Sequence, residues 1–206
     1  TQATLDSLIV KGVLDTSLAR GINSGDEFSV GDILVSTCSV PHDAVDPIAY
    51  KFFFGGHHIG VVTDLGQVTT EVRHFVRGLD IAVVETNHDL ELLVDGPYPW
   101  ELKQRIRGTR GHLSNSQGMK LAEDILDDTS GKACVVLGGH LSEKNNSPSY
   151  AQSALDQLHG ISQRPLYTGH ITQKGIPGIF EVNEKGISLK GELIVSHQVL
   201  RHQANL

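Results

Sequence analysis

Three apolar runs in this sequence stop on a side chain able to bind a metal ion. "LVSTCSVP" ends on His42, "IGVVT" on Asp64 and "CVVLGG" on His140. Neutral imidazole nitrogen and carboxylate oxygen suit Zn²⁺ and similar divalent ions, and a carboxylate has two oxygens with which to bridge a pair of ions. Each residue alone has a plainer reading, as a hydrogen-bonded loop histidine or as the aspartate of an ordinary turn in "TDLG". Their common position at a strand end favours the metal reading, as do the polar residues beside them: Asp43 and Asp46 after His42, Asn145 and Asn146 after His140. Eleven histidines in 206 residues, several next to Gly, Asp or Asn, point the same way.

The elements that must hold these side chains follow from periodicity and turn chemistry. "TQATLDSLIVKG" has the pattern of the middle or end of a helix, without an N-cap. The short β-like runs "EFSV", "DILVSTCSV", "IAYKFFF" and "IGVVTD" are separated by "GD", "HDAVDP" and "GGHH", which predicts a largely antiparallel meander. From "TTEVRHFVRGL" onward, helix and strand alternate. "DIAVVE" and "KACVVLGGH" are the strands; "PWELKQRI", "SNSQGMKLAEDILDD" and "SPSYAQSALDQLHG" are the helices. Ser114 or Ser116 and Ser147 are the candidate N-caps, the last followed by Pro148 in the first turn. After Gly160, two or three short strands joined by Gly turns are expected, and no helix. The pattern is that of a layered α/β fold. No internal repeat is present, although "GHLS" occurs twice, at 111–114 after a basic loop and at 139–142 ending a strand.

Composition sets the outer limits. A chain of this length with 39% hydrophobic residues, 20% charged residues and 22 glycines suits one globular domain with many tight turns. Its longest apolar runs fall far short of the roughly 18 residues of a membrane helix, and no basic-then-apolar leader opens it, so a cytoplasmic location is expected. Cys38 and Cys134 lie in strand-like runs and read as buried thiols. The formal net charge of −7 repels nucleic acid at long range and leaves polyanion binding to a local patch. "KQRIRGTR", with Lys103, Arg105, Arg107 and Arg110, is such a patch.

The segments "SVPHDAVDP", "GVVTDLGQVT", "VVETNHDLELL", "YPWELKQRIRGTRGHLSN" and "GGHLSEKNNSP", in that order, resemble the metallo-β-lactamase-fold hydrolases of the WalJ/YycJ type. The match runs from residue 1 to about residue 158. The resemblance implies an αββα sandwich with two divalent metal ions, Zn or Mn, at one edge, and phosphodiesterase or nuclease activity on nucleic acid, 5′–3′ exonuclease-like. It implies that His42 ligates the first ion, Asp64 bridges, and His140 ligates the second. It places His88 and His112 at the substrate as general acid or phosphate clamp, with Lys103, Arg105 and Arg110 as phosphate contacts.

The family's earlier His-x-His-x-Asp-His motif, which supplies four of seven ligands, occurs nowhere in the 206 residues. The expected fold is therefore an N-terminally truncated sandwich over residues 1–160, with a tail of uncertain relation at 161–206. Each ion keeps two protein ligands, His42 and Asp64 or Asp64 and His140, so weak metal retention, weak or no activity, and self-association through an uncovered apolar face are expected. A small-molecule phosphodiesterase or thioester hydrolase on the same scaffold, and an inactive remnant that binds a partner, are the alternatives. His57, His58, His74, His159, His170, His197 and His202 are read as surface or packing residues.

Overall fold

The computed structural model describes residues 1–11, 19–127, 132–171, 179–183 and 186–190. Seven strands form one mixed sheet in sequence order: β1 (Glu27–Val30), β2 (Ile33–Ser39), β3 (Ile48–Phe54), β4 (His57–Val62), β5 (Ile81–Glu85), β6 (Cys134–Gly139) and β7 (Leu166–His170). The first four pair antiparallel as the meander predicts, and β4 to β7 pair parallel. Because β2 and β4 are both antiparallel to β3, they run in the same direction. The C-terminal ends of β2, β4, β5 and β6 therefore share one edge of the sheet.

Helices α2 (Thr70–Val76), α5 (Asn115–Leu126) and α6 (Pro148–Asp156) bury their apolar sides against one face. There Val72, Val76, Leu121, Ile125 and Leu155 pack on Val62, Ala82, Val84 and Val136. Every residue of β6 is buried, as expected of a strand at the centre of the parallel part of the sheet. The opposite face carries a smaller apolar cluster of Ile81, Val135 and Leu137 with Ile59, Val83 and Tyr167 around it. Among the described residues there is one such sheet with its helical layer, which is one half of the expected sandwich. A separate hairpin joins β8 (Ile179–Asn183) to β9 (Gly186–Lys190).

The helix ends follow local chemistry. Ser114, not Ser116, caps α5 in a reciprocal capping box with Gln117, and Ser147 caps α6 with Pro148 in its first turn. The first helix, α1 (Gln2–Val10), does have an N-cap contact: the Thr1 hydroxyl accepts from the Thr4 amide. The main sheet continues past residue 160. β7 lies beyond it and extends the main sheet, because Leu166–His170 finds its backbone partners along β6. Cys134 is buried and Cys38 half-buried. His197 and His202 lie outside the described residues.

Candidate metal centre

The shared edge of the sheet gathers the strand-end residues. His42 follows β2 by three positions, Asp64 follows β4 by two, and His140 follows β6 directly. Asp64 and His140 are the only non-glycine residues with positive φ among those described, at 59° and 57°. An L-residue in this left-handed region is disfavoured, and such outliers collect at functional sites where surrounding structure imposes them. Here they turn both side chains back over the strand ends.

Donor atoms converge as a result. The Asp64 carboxylate oxygen Oδ1 lies 3.4 Å from His140 Nε2 and 3.8 Å from His42 Nε2. Two donors bound to one tetrahedral ion at about 2.0–2.1 Å stand roughly 3.3 Å apart. Each ring is oriented through its other nitrogen. His42 Nδ1 donates to Gly111 O at 2.8 Å and His140 Nδ1 to Glu85 Oε1 at 2.7 Å, which leaves both Nε2 atoms on the Asp64 side, with His42 Nε2 also 3.5 Å from Asp43 Oδ1. A donor set of two imidazoles and a carboxylate, each imidazole held from behind, fits a divalent cation.

Glu85 organises the floor of this site. Its carboxylate is fully buried and all its oxygen capacity is committed: Oε1 accepts from His112 Nδ1 and His140 Nδ1, both at 2.7 Å, and Oε2 accepts from the amides of Leu65 at 3.0 Å and Leu113 at 3.2 Å. Burial raises the Glu85 pKa more than any other single influence. The hydrogen bonds from His112, His140 and Leu65 together outweigh it and hold the group below the usual glutamate value, so it stays ionised. The His140 pKa is raised, first by its hydrogen bond to Glu85, against desolvation and with help from Asp64. Asp64, Glu85, His112 and His140 offer ligand atoms within 4.8 Å of one another, but Glu85 serves the two rings from behind and is not directed at the cation position. The His112 ring bridges the other two, 4.8 Å from His42 and 5.0 Å from His140 between centroids.

The basic loop has a different job from the one its charges suggest. Arg110 donates twice to the His42 carbonyl, from Nε at 3.1 Å and Nη2 at 3.0 Å, and Gly111 supplies the carbonyl that orients the His42 ring. Any Cβ on Gly111 would meet the Arg105 and Ile106 carbonyls at 2.2 Å, and one on Gly66 would meet the Gly108 carbonyl at 2.4 Å, so the two loops pack backbone to backbone. Arg105 pairs with Asp43, and Lys103 donates to the Val94 carbonyl at 2.6 Å. The expected phosphate contacts thus hold protein partners, and Arg110 in particular braces a candidate ligand.

His88 does not stand at the substrate position expected of it. Its side chain is 1% exposed, behind the strand ends, and burial lowers its pKa to about 4, so it is neutral near neutrality. His112 is at the surface of the site, beside His140. Behind them Asn146 donates to the carbonyls of Thr86 at 2.7 Å and Asn87 at 3.1 Å and pairs with the Asn115 side chain, tying the ends of β5, α5 and the loop after β6 together. Glu85 was not singled out from sequence, although it carries the same signal as the others: a polar group ending the apolar run "IAVV".

A mixed sheet with helices on one face and a His/Asp cluster at its strand ends defines a metallo-β-lactamase-fold protein. Two solved structures share the fold: YhfI from Bacillus subtilis, with TM-score 0.57 and 14% identity over 85% of this chain and 61% of that one, and Zn²⁺-bound PqqB from Methylobacterium extorquens, with TM-score 0.51 and 17% identity over 82% and 61%. In sequence the chain is similar to proteins of the WalJ/YycJ type. It is 35% identical over 158 residues to the exodeoxyribonuclease WalJ of Streptococcus pneumoniae, covering 77% of this chain and 57% of that protein. It is 33% identical over 134 residues to the exodeoxyribonuclease YycJ of Bacillus anthracis, covering 65% and 50%. The chain therefore spans about half the length of these curated relatives. No family model matches it. Among the described residues, no helix is long and apolar enough to cross a membrane.

Proposed function

We propose that this chain carries part of the active site of a metal-dependent phosphodiesterase that degrades nucleic acid in the manner of a 5′–3′ exonuclease. The observation behind this reading is the convergence of His42 Nε2, Asp64 Oδ1 and His140 Nε2, with Asp64 and His140 held in left-handed backbone. The names of the two relatives supply the substrate class. In this reading His42 and Asp64 would hold one divalent ion, Zn or Mn, and Asp64 and His140 the second. A dinuclear site of this kind supplies an activated water and charge neutralisation at a phosphodiester. The fuller ligand sets of this fold require donors beyond those in the described residues, so the chain alone retains metal weakly.

The chain's own residues take defined parts. Glu85 fixes the His140 ring so that Nε2 presents its lone pair, and Arg110 with Gly111 does the same for His42. His112, hydrogen-bonded to Glu85 through Nδ1, has its Nε2 for proton transfer. It delivers that proton to the departing oxygen as the phosphodiester is cleaved. His88 acts by packing behind this dyad. Arg105, on the rim, is the phosphate contact of the basic segment once it exchanges its Asp43 partner for the phosphate; Lys103 and Arg110 support the framework.

The test is hydrolysis of end-labelled single-stranded and duplex DNA by the intact protein in Mn²⁺ or Zn²⁺, set beside bis(p-nitrophenyl) phosphate. Stepwise release of nucleotides from the 5′ end, abolished by chelation and by His140→Ala, is the expected result. The acidic net charge favours the second reading, a small-molecule phosphodiesterase. Turnover of the small diester without DNA hydrolysis supports that reading, and failure of the intact protein to bind either metal refutes both.

A further inference from the structure

A cleft of about 440 Å³ opens beside the His112 and His140 rings. One wall is Tyr98, just before helix α4 (Trp100–Arg107), followed by Leu102 and Ile106, which lie one helical turn apart on the same side of α4. The other wall is the loop after β6, with Leu141, Ser142 and Lys144. α4 contains no buried residue, and Leu102, Ile106 and Leu141 belong to neither apolar core cluster. All three are partly buried and line the cleft.

The lining is mixed: Tyr98, Leu102 and Ile106 give one apolar wall, and Asn87, Ser142, Lys144 and the carboxylates of Asp43 and Glu143 make the rest polar, which matches a nucleobase with its two apolar faces and polar edge. The cleft lies toward the small end of the roughly 300–1,000 Å³ range of ligand pockets. We propose that it is the subsite for the single, unpaired nucleotide adjoining the cleaved phosphate, with Tyr98, Leu102 and Ile106 as its base-contacting wall. This inference rests on the phosphodiesterase reading and adds to it a requirement: the strand end must be unstacked and unpaired to enter. Tyr98 provides stacking, Leu102 and Ile106 exclude water from the base, and Arg105 and Lys144 flank the sugar-phosphate on the rim.

Titration of the metal-free chain with dAMP and with deoxyribose 5-phosphate reads the pocket without catalysis. dAMP should bind at least about tenfold more tightly than the sugar phosphate, and Tyr98→Ala should remove about tenfold of that preference. Leu102→Ala, which keeps a strong helix former in α4, should lower it severalfold while the circular dichroism spectrum is unchanged. Equal binding of the two ligands by the unaltered chain overturns the proposal and needs no variant to show it. Hydrolysis by the intact protein separates this failure from failure of the parent reading. A DNA strand with an abasic end cleaved as fast as a normal one refutes the base subsite and leaves the nuclease standing. Absence of hydrolysis on both strands overturns the nuclease, and with it this subsite.

Discussion

A Glu85→Gln substitution changes one oxygen to an amide and forces a decision on four hydrogen bonds. The amides of Leu65 and Leu113 can only donate, so the glutamine carbonyl must occupy the position of Oε2. Its NH₂ group then faces His112 Nδ1 and His140 Nδ1, where the carboxylate accepted two bonds of 2.7 Å. Each ring can accept those hydrogens only as the opposite tautomer, with its proton on Nε2. Folding should suffer little, because every group still has a partner. Ligation should suffer much more, because His140 Nε2 now carries a hydrogen where the metal needs a lone pair. Restoring the ligating tautomer sets N–H against N–H and sacrifices a charge-assisted bond of about 1.5–3 kcal/mol, or roughly ten- to hundredfold in metal affinity. Ring ¹⁵N spectra of the metal-free chain at alkaline pH should show Nδ1–H for both histidines and Nε2–H in the variant, and calorimetric titration with Zn²⁺ or Mn²⁺ should show the weakening. Unchanged tautomers, or a loss of affinity below about threefold, would refute the role given to Glu85.

His88 makes stability depend on pH. Its folded pKa of about 4 lies below the ordinary 6.5, so between these values the unfolded chain binds more protons; the contribution is complete above pH 6.5 and is lost as pH falls toward 4. The full swing is about 3 kcal/mol, measurable as a falling urea midpoint whose excess slope disappears in His88→Gln. His140 has a raised pKa, so protons compete with metal there: apparent metal affinity should increase with pH until that group is neutral, by about tenfold per unit below its pKa. A flat titration would remove His140 from the ligand set. Gly111→Ala drives a methyl group into two carbonyls and should cost about 2 kcal/mol in thermal unfolding while releasing the His42 ring. Asp64→Gly should leave stability within about 1 kcal/mol, because glycine tolerates the left-handed backbone, yet abolish metal binding.

Much of the site was legible before any coordinates. Apolar runs in "CVVLGG" and "IGVVT" mark strands by side-chain type alone, and a metal-binding residue at the end of each is a local fact. Helix caps at Ser114 and Ser147 are likewise local, since the capping oxygen and the amide it serves are three residues apart. Glu85 carries the same local signal, but a lone glutamate after an apolar run shows nothing of the two histidines it holds. Those lie 27 and 55 residues further on.

The roles of the histidines and arginines could not be assigned from their types. His88 and His112 both sit in polar loop sequence, and only the packing of β5 against α5 puts one inside and the other at the site. Arg110 has the composition of a phosphate ligand and the position of a brace, since its partner is a carbonyl 68 residues away. The sequence by itself determined the elements, their caps and the donor atoms at the strand ends, all of which depend on near neighbours along the chain. Tertiary structure decided which donors converge, which nitrogen of each ring is free, and which charges are already spent, because strand order and loop-to-loop contact set those distances.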